Sequence, residues 1–166
     1  MNKIVFNSSW TLYTHEIQDT DYSLESYKKL FTTKNYKEYV EYMNEINEEE
    51  WSRKLYFFMR DDITPRYEDC NNVDGCYWAY RINKNYSYTT WFALNLLLMG
   101  ECLFDDIHLM SNVNGISLSP KNNTTTIRIW FKKNDILLNN ETNNHKFSYT
   151  IPNIDITKYK FGLNVN

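Results

Sequence analysis

The chain is 166 residues long, with 42% hydrophobic, 17% aromatic and 23% charged side chains, the size of one domain with enough apolar bulk for a full core without disulfide or metal staples. A formal charge of −3 excludes broad coating of nucleic acid by an overall basic surface, so any contact with RNA has to be local. Cys70, Cys76 and Cys102 lack CxxC spacing, and His15, His108 and His145 complete no metal set. No segment has the make-up of a signal peptide or a membrane span, which together with the thiols predicts a cytoplasmic protein.

In chain order, β-rich composition and alternation predict strands over residues 10–15, 55–59, 77–82, 113–118, 125–131, 147–151 and 159–163. Two helices interrupt them. Tyr36, Tyr39, Val40, Met43 and Ile46 recur at helical spacing with Lys37, Glu38, Glu41 and Glu45 on the other side, an amphipathic pattern between residues 35 and 46. Residues 88–99 carry Trp91, Leu94, Leu97 and Leu98 on a wide apolar face, with Gly100 as the expected stop. With four Gly and three Pro in the whole chain, turns fall on Asn/Asp clusters at 69–72, 121–123 and 139–141. The cleanest strand puts Ile127, Ile129 and Phe131 on one face and Thr126, Arg128 and Trp130 on the other. Connections too short for regular βαβ units predict an α+β fold, a single domain with an antiparallel sheet and helices on one face.

No Gly-rich nucleotide loop, zinc spacing or nucleophile elbow occurs, so no enzyme, no metal and no cofactor is expected. The informative pieces are aromatic. Asp62-Ile63-Thr64-Pro65-Arg66-Tyr67-Glu68-Asp69 sets an aromatic ring beside two acids after a proline-stiffened turn, and Gly75-Cys76-Tyr77-Trp78 opens the next strand. With these blocks the chain resembles the cap-binding translation initiation factor 4E family. The resemblance runs in order from Trp10 to Phe131: Trp10-Thr11-Leu12-Tyr13, the helix through Tyr39 and Ile46, the 63–69 loop, Gly75 to Trp78, the helix from Trp91 to Gly100-Glu101, Phe104-Asp105-Asp106, and the strand ending Ile129-Trp130. It implies a curved antiparallel sheet backed by helices, with the 7-methylguanosine 5′ cap of mRNA held on the concave side.

N7 methylation gives guanine a delocalised positive charge, so a sandwich between two aromatic faces gains stacking and cation–π attraction, roughly 1–3 kcal/mol per stacked base. By the resemblance, the stacking positions fall on Tyr22 and Tyr67. Glu68 would accept from the N1 and N2 donors of guanine, a pair that adenine lacks, and Trp130 would meet the N7 methyl group. The phosphate side departs from the family, with Ser119, Thr126 and Tyr77 where cations are expected. Lys121 and Arg128 remain, and the guanidinium fork of Arg128 suits phosphate oxygens better than a lysine ammonium.

The protein partner implied is a scaffold or repressor on the dorsal helices, at Tyr36, Val40 and Phe92, with Val40 standing where the family has an anchoring Trp. Loss of such an anchor commonly costs about 2 kcal/mol or more. Beyond Phe131 the resemblance fades: the expected helix is shortened or absent, residues 137–140 lead into an Asn-rich loop, and 159–163 match the last strand. The bias toward Asn, Ile, Lys and Tyr fits an AT-rich genome such as that of a virus or a protist. The expectation is a monomeric cap-binding protein acting in translation initiation or its regulation. The alternative is an interaction module that keeps the fold without binding cap.

Overall fold

A computed structural model describes residues 5–133, 147–155 and 158–164. Seven strands form one sheet in the order β2-β1-β3-β5-β6-β4-β7, where β1 is Val5–Glu16, β2 Lys28–Asn35, β3 Lys54–Arg60, β4 Cys76–Asn83, β5 Val113–Pro120, β6 Thr124–Phe131 and β7 Tyr159–Leu163. Every neighbouring pair is antiparallel. Because successive side chains on a strand point to opposite faces, the register sorts the sheet into two layers. Trp10, Leu12, Phe58, Ile116, Ile127, Ile129 and Trp78 enter the main core, while Tyr13, Phe57, Met59 and Trp130 build a smaller cluster on the other face.

The helices cover the first of these faces, giving the curved α+β sheet that the sequence predicts. In α1 (Tyr36–Glu45), Asn35 caps the N-terminus by accepting from the Lys37 amide at 2.7 Å, and Tyr39 and Met43, one turn apart, are fully buried. A short α2 (Glu48–Trp51) brings Trp51 against Tyr56, and α4 (Ile107–Ser111) is capped by Asp106 through the amides of His108 and Leu109. Between them α3 (Ser87–Met99) buries Trp91, Leu94, Asn95 and Leu98. It stops at Gly100, as the sequence predicts, but not through a left-handed glycine. Gly100 keeps a right-handed backbone, and Glu101 takes the left-handed position at φ 52°. The Glu101 and Cys102 amides reach back to the Leu98 and Leu97 carbonyls, the paired bonds of a Schellman turn. The Glu101 carboxylate accepts from Arg60 at 2.9 Å and from Ser8 at 3.1 Å, contacts that a glycine could not make.

Two further differences have local causes. Residues 147–151 do not form a strand: Phe147 makes one isolated bridge to Phe104 and stacks on its ring at 5.1 Å, so its apolar bulk serves packing instead of a ladder. Conversely β2 was not predicted, because its Lys-Lys-Leu-Phe-Thr-Thr-Lys-Asn sequence carries little apolar signal. Among the described residues it is an edge strand, paired to β1 alone, and edges favour lysine and other polar residues. Residues 134–146, which hold most of the region where a shortened or absent helix is expected, with 137–140 and the Asn-rich loop they lead into, lie outside the described residues.

One polar contact ties α1 to α3 inside the core. Asn95 Nδ2 donates to the Tyr39 hydroxyl at 2.8 Å, and burial pushes that phenol well above its ordinary range. Tyr39→Phe should strand the Asn95 donor and cost about 1–3 kcal/mol. Urea unfolding should recover part of that loss in the double variant Tyr39→Phe/Asn95→Leu; a double variant no more stable than Tyr39→Phe would count against this reading.

Candidate functional site

Trp130 is the centre of the smaller cluster. Its indole Nε1 donates to Ser117 Oγ on the adjacent strand at 3.0 Å, fixing the ring's polar edge. Tyr67 lies over it, with centroids 4.9 Å apart and planes 17° apart, and Phe57 meets it edge-on at 6.4 Å. Trp130 is therefore only 3% exposed. Strand alternation placed it on the face opposite Ile127 and Ile129, but gave no sign that a loop tyrosine would roof it.

The loop bearing Tyr67 and Glu68 is held by its own polar groups. The Asp69 carboxylate accepts from Thr64 N and Oγ1 at 2.8 and 2.7 Å, and from Asn71 N and Nδ2 at 2.9 and 3.1 Å. Burial opposes ionisation of Asp69, yet these donors outweigh it and hold the carboxyl below the usual carboxylate range. Asn72, fully buried, donates to the carbonyls of Thr64 and Arg66 at 3.0 and 2.7 Å, just before Tyr67, and accepts from Asn114 at 2.9 Å. Glu68 stands exposed, one oxygen 3.4 Å from Arg66 Nε.

Tyr27 joins this loop to the Tyr22 loop. Its phenol is pushed up to about 12, first by burial and then by Tyr22, Glu68 and Tyr67, whose fields it feels together. Tyr22 is 54% exposed and lies parallel to His15, with centroids 4.7 Å apart and a 3° angle between planes. His15 Nε2 sits 2.7 Å from the Asp21 carbonyl oxygen, which requires the proton on that nitrogen. One face of Tyr22 is thus backed by an imidazole.

Arg128 precedes Trp130 by two residues on the same face. Its guanidinium lies 5.3 Å from the Tyr77 ring centroid, and its charge pulls the Tyr67 phenol downward against the larger upward push of burial. Its Nε is buried with no hydrogen-bond partner among the described residues. Lys121 is exposed in the β5–β6 turn, at the end of β6 away from Trp130, and no contact brings it to the cluster. Tyr36 and Val40 share one side of α1 on the helix-covered face. Phe92 of α3 packs on Tyr39 at 5.6 Å, and Tyr36 is 43% exposed.

Tyr22, Tyr67, Glu68, Trp130 and Arg128 therefore gather on one face, while Tyr36, Val40 and Phe92 lie on the other. The supporting residues that the sequence reading missed are Tyr13, His15, Tyr27, Phe57 and Asn72. The parity of β1 could have flagged Tyr13 and His15 as partners of Phe57 and Leu55, but nothing local marks Asn72. Among the described residues, no three His, Cys, Asp or Glu side chains group so as to hold a metal, and no helix is long and apolar enough to cross a membrane.

A family model for eukaryotic initiation factor 4E matches residues 5–160, and the chain belongs to that family. It is 37% identical over 76 residues to the eukaryotic translation initiation factor NCBP of Arabidopsis thaliana, covering 46% of this chain and 32% of that protein. It is 31% identical over 64 residues to the eukaryotic translation initiation factor 4E homolog of Acanthamoeba polyphaga mimivirus, covering 39% of this chain and 24% of that protein. The matched stretches thus span a third or less of those relatives. In fold it is similar to Ascaris suum eIF4E-3 solved with an m7G cap, with TM-score 0.69, 18% identity, 82% of this chain and 79% of that chain. A schistosome eIF4E complexed with m7GpppG and 4E-BP gives TM-score 0.72 at 18% identity, over 81% of this chain and 75% of that chain.

Asp69 has a depressed folded-state pKa, so its contribution to loop closure is fully present above its unfolded value, about 3.9, and is lost as pH falls through the folded value. Asp69→Ala should free the loop at neutral pH and expose Trp130 to acrylamide, while Trp10, Trp51, Trp78 and Trp91 stay shielded in the main core. The unchanged chain should show the same rise in quenching only in acid. Identical quenching in the two proteins at neutral pH would show that Asp69 does not hold the roof.

Proposed function

We propose that the concave face binds the 7-methylguanosine 5′ cap of mRNA and that the protein acts in the cytoplasm in translation initiation or its regulation. The observation that carries this reading is that Tyr67, stacked on Trp130, and Tyr27 pack on one cluster, while Tyr22 lies on His15, whose ring is 5.0 Å from Tyr27. The methylated base enters between the rings of Tyr22 and Tyr67. Tyr22 presents its solvent-facing side, since His15 occupies the other. Tyr67 swings off Trp130 to supply the second face, which exposes the indole to the N7 methyl group. Breaking an aromatic pair costs about 0.5–1.5 kcal/mol beyond area burial, less than two new stacked faces return. Glu68 leaves Arg66, a half-exposed ion pair of small net value, to accept from N1 and N2 of guanine.

Arg128 serves the phosphates. Its place two residues from Trp130 on the same strand face and its Nε, without a partner among the described residues, suit an anion arriving with the base, and the Tyr77 ring supports the guanidinium. Lys121 reaches toward a phosphate only if the β5–β6 turn folds inward. The apolar surface at Tyr36, Val40 and Phe92 receives a scaffold or repressor protein. A second reading, an interaction module that no longer binds cap, draws on the closed Tyr67–Trp130 stack and on Ser119, Thr126 and Tyr77 standing where family cations are expected.

Titration with 7-methyl-GTP and with GTP, followed by tryptophan fluorescence, separates the two. The cap reading requires a Trp130 response to the methylated nucleotide that GTP does not reproduce; equal or absent responses leave only the interaction module. Tyr67→Ala should weaken 7-methyl-GTP by about 1–3 kcal/mol, and Glu68→Ala should abolish discrimination against adenine. Arg128→Ala should weaken 7-methyl-GTP and flatten its salt dependence while leaving the 7-methylguanosine nucleoside unaffected. An unchanged salt slope would remove Arg128 from the phosphate site.

A further inference from the structure

We infer that the β4–β6–β7 part of the concave face is a lane for the phosphodiester backbone of the RNA that follows the cap; this rests on the cap-binding reading and extends it past the triphosphate. The register lays the lane out, because directly opposed residues of antiparallel strands share a face. Trp130, Tyr77 and Gly162 form one row. Arg128, Ala79 and Lys160 form the next, and Thr126 with Arg81 the one after, so cations begin beside the proposed base slot and continue away from it.

Small residues keep this floor low. A Cβ on Gly162 would come within 2.3 Å of the Tyr77 ring, so only glycine lets that ring rest on β7 and support Arg128. Over Ala79 opens a cleft of about 310 Å³, lined by Arg81, Thr126, Lys158 and Lys160. Arg81, Arg128 and Lys160 have no carboxylate partner among the described residues, whereas Lys158 is paired to Asp155 at 3.0 Å. One exposed acid, Asp155, stands at the edge of the cleft and is taken up by Lys158, while Glu38, Glu41 and Glu45 lie on α1 behind the sheet and Asp61, Asp62 and Glu68 in the roof loop.

The spacing selects the ligand. Same-face neighbours along a strand stand about 6.6 Å apart, and residues two strands apart about 9.6 Å. Charges strung out in this way do not converge on a compact triphosphate, which can use Arg128 alone. A chain of singly charged phosphodiesters meets them one after another, with the Thr126 hydroxyl as a neutral donor between.

The test compares 7-methyl-GTP with a short capped oligoribonucleotide on the full chain and on Arg81→Gln/Lys160→Gln, two exposed positions whose replacement should leave the unfolding midpoint unchanged. The double variant should bind 7-methyl-GTP as the unchanged chain does. It should bind the capped oligonucleotide about tenfold more weakly, with a salt slope shallower by about 1.4, the value for two contacts to single-stranded RNA. An oligonucleotide bound no more tightly than 7-methyl-GTP, or equally by both proteins, overturns the lane. So does a poly-glutamate peptide that displaces the oligonucleotide's downstream contacts at lower concentration than uncapped RNA does. Loss of 7-methyl-GTP binding in the unchanged chain, with Arg81- and Lys160-dependent binding of uncapped RNA intact, would instead overturn the cap reading and leave the lane standing.

Discussion

Each strand of this sheet has two faces, and neither face of its middle portion is polar enough to be left to water. The side holding Trp10, Phe58 and Ile129 is closed by helices. The other side of β1, β3 and β6 carries Tyr13, Phe57, Met59 and Trp130, and among the described residues no helix packs on them. A loop has to do so, and residues 61–75 supply Ile63 and Tyr67 as the cover. A loop is a poor roof unless its backbone polar groups are satisfied, which explains the density of Asp and Asn in this stretch. The same arrangement gives the site its adaptability: the Tyr67 ring rests on Trp130 by an aromatic contact of modest strength, while the backbone on either side is fixed.

Asn72 is where that fixing becomes non-local. It holds the Thr64 and Arg66 carbonyls with its amide nitrogen, receives Asn114 of β5 on its amide oxygen, and receives Asn164 on its backbone carbonyl at 2.8 Å. The Asn164 amide in turn donates to the Gly75 carbonyl at 3.0 Å. The residue just after β7 is thereby tied to the roof loop. Gly75 belongs to the same knot, since a Cβ there would fall 2.1 Å from the Phe131 carbonyl oxygen. The Tyr67 loop and the end of β7 are thus joined through this knot.

The parts of this molecule that are legible in its sequence are those governed by local periodicity. Ile127, Ile129 and Phe131 declare their face by alternation, and Tyr39 and Met43 declare theirs by helical spacing, because burial of one side is the whole of the signal. The misses fall where a position answers to something distant. β2 reads as polar because only one of its edges is paired; Phe147 reads as strand because its apolar bulk is matched by the Phe104 ring and not by a ladder. Glu101 takes the left-handed backbone where Gly100 was the natural candidate, since Arg60 and Ser8, remote in sequence, give its carboxylate partners. At the candidate site, the family resemblance carried by the 63–69 loop and the Ile129-Trp130 strand singled out Tyr67, Glu68 and Trp130, whereas His15 and Tyr27 become visible only when the Tyr22 loop folds back over β1.

The two arginines on opposite faces of the sheet show why net charge says little about where an anion would go. Arg60 donates to the Val113 carbonyl, to Ser8 and to Glu101, and lies 4.9 Å from the Trp10 ring centroid, so its charge and its donors are consumed internally. Arg128 has the same ring support from Tyr77 but leaves a buried Nε without a partner among the described residues. A buried donor left unmet costs about 1–3 kcal/mol. Such a deficit is tolerable where an incoming acceptor removes it, and the neighbours of Arg128 are the Trp130 ring under Tyr67 on one side and, on the other, the cations Arg81 of β4 and Lys160 of β7, which have no carboxylate partner among the described residues.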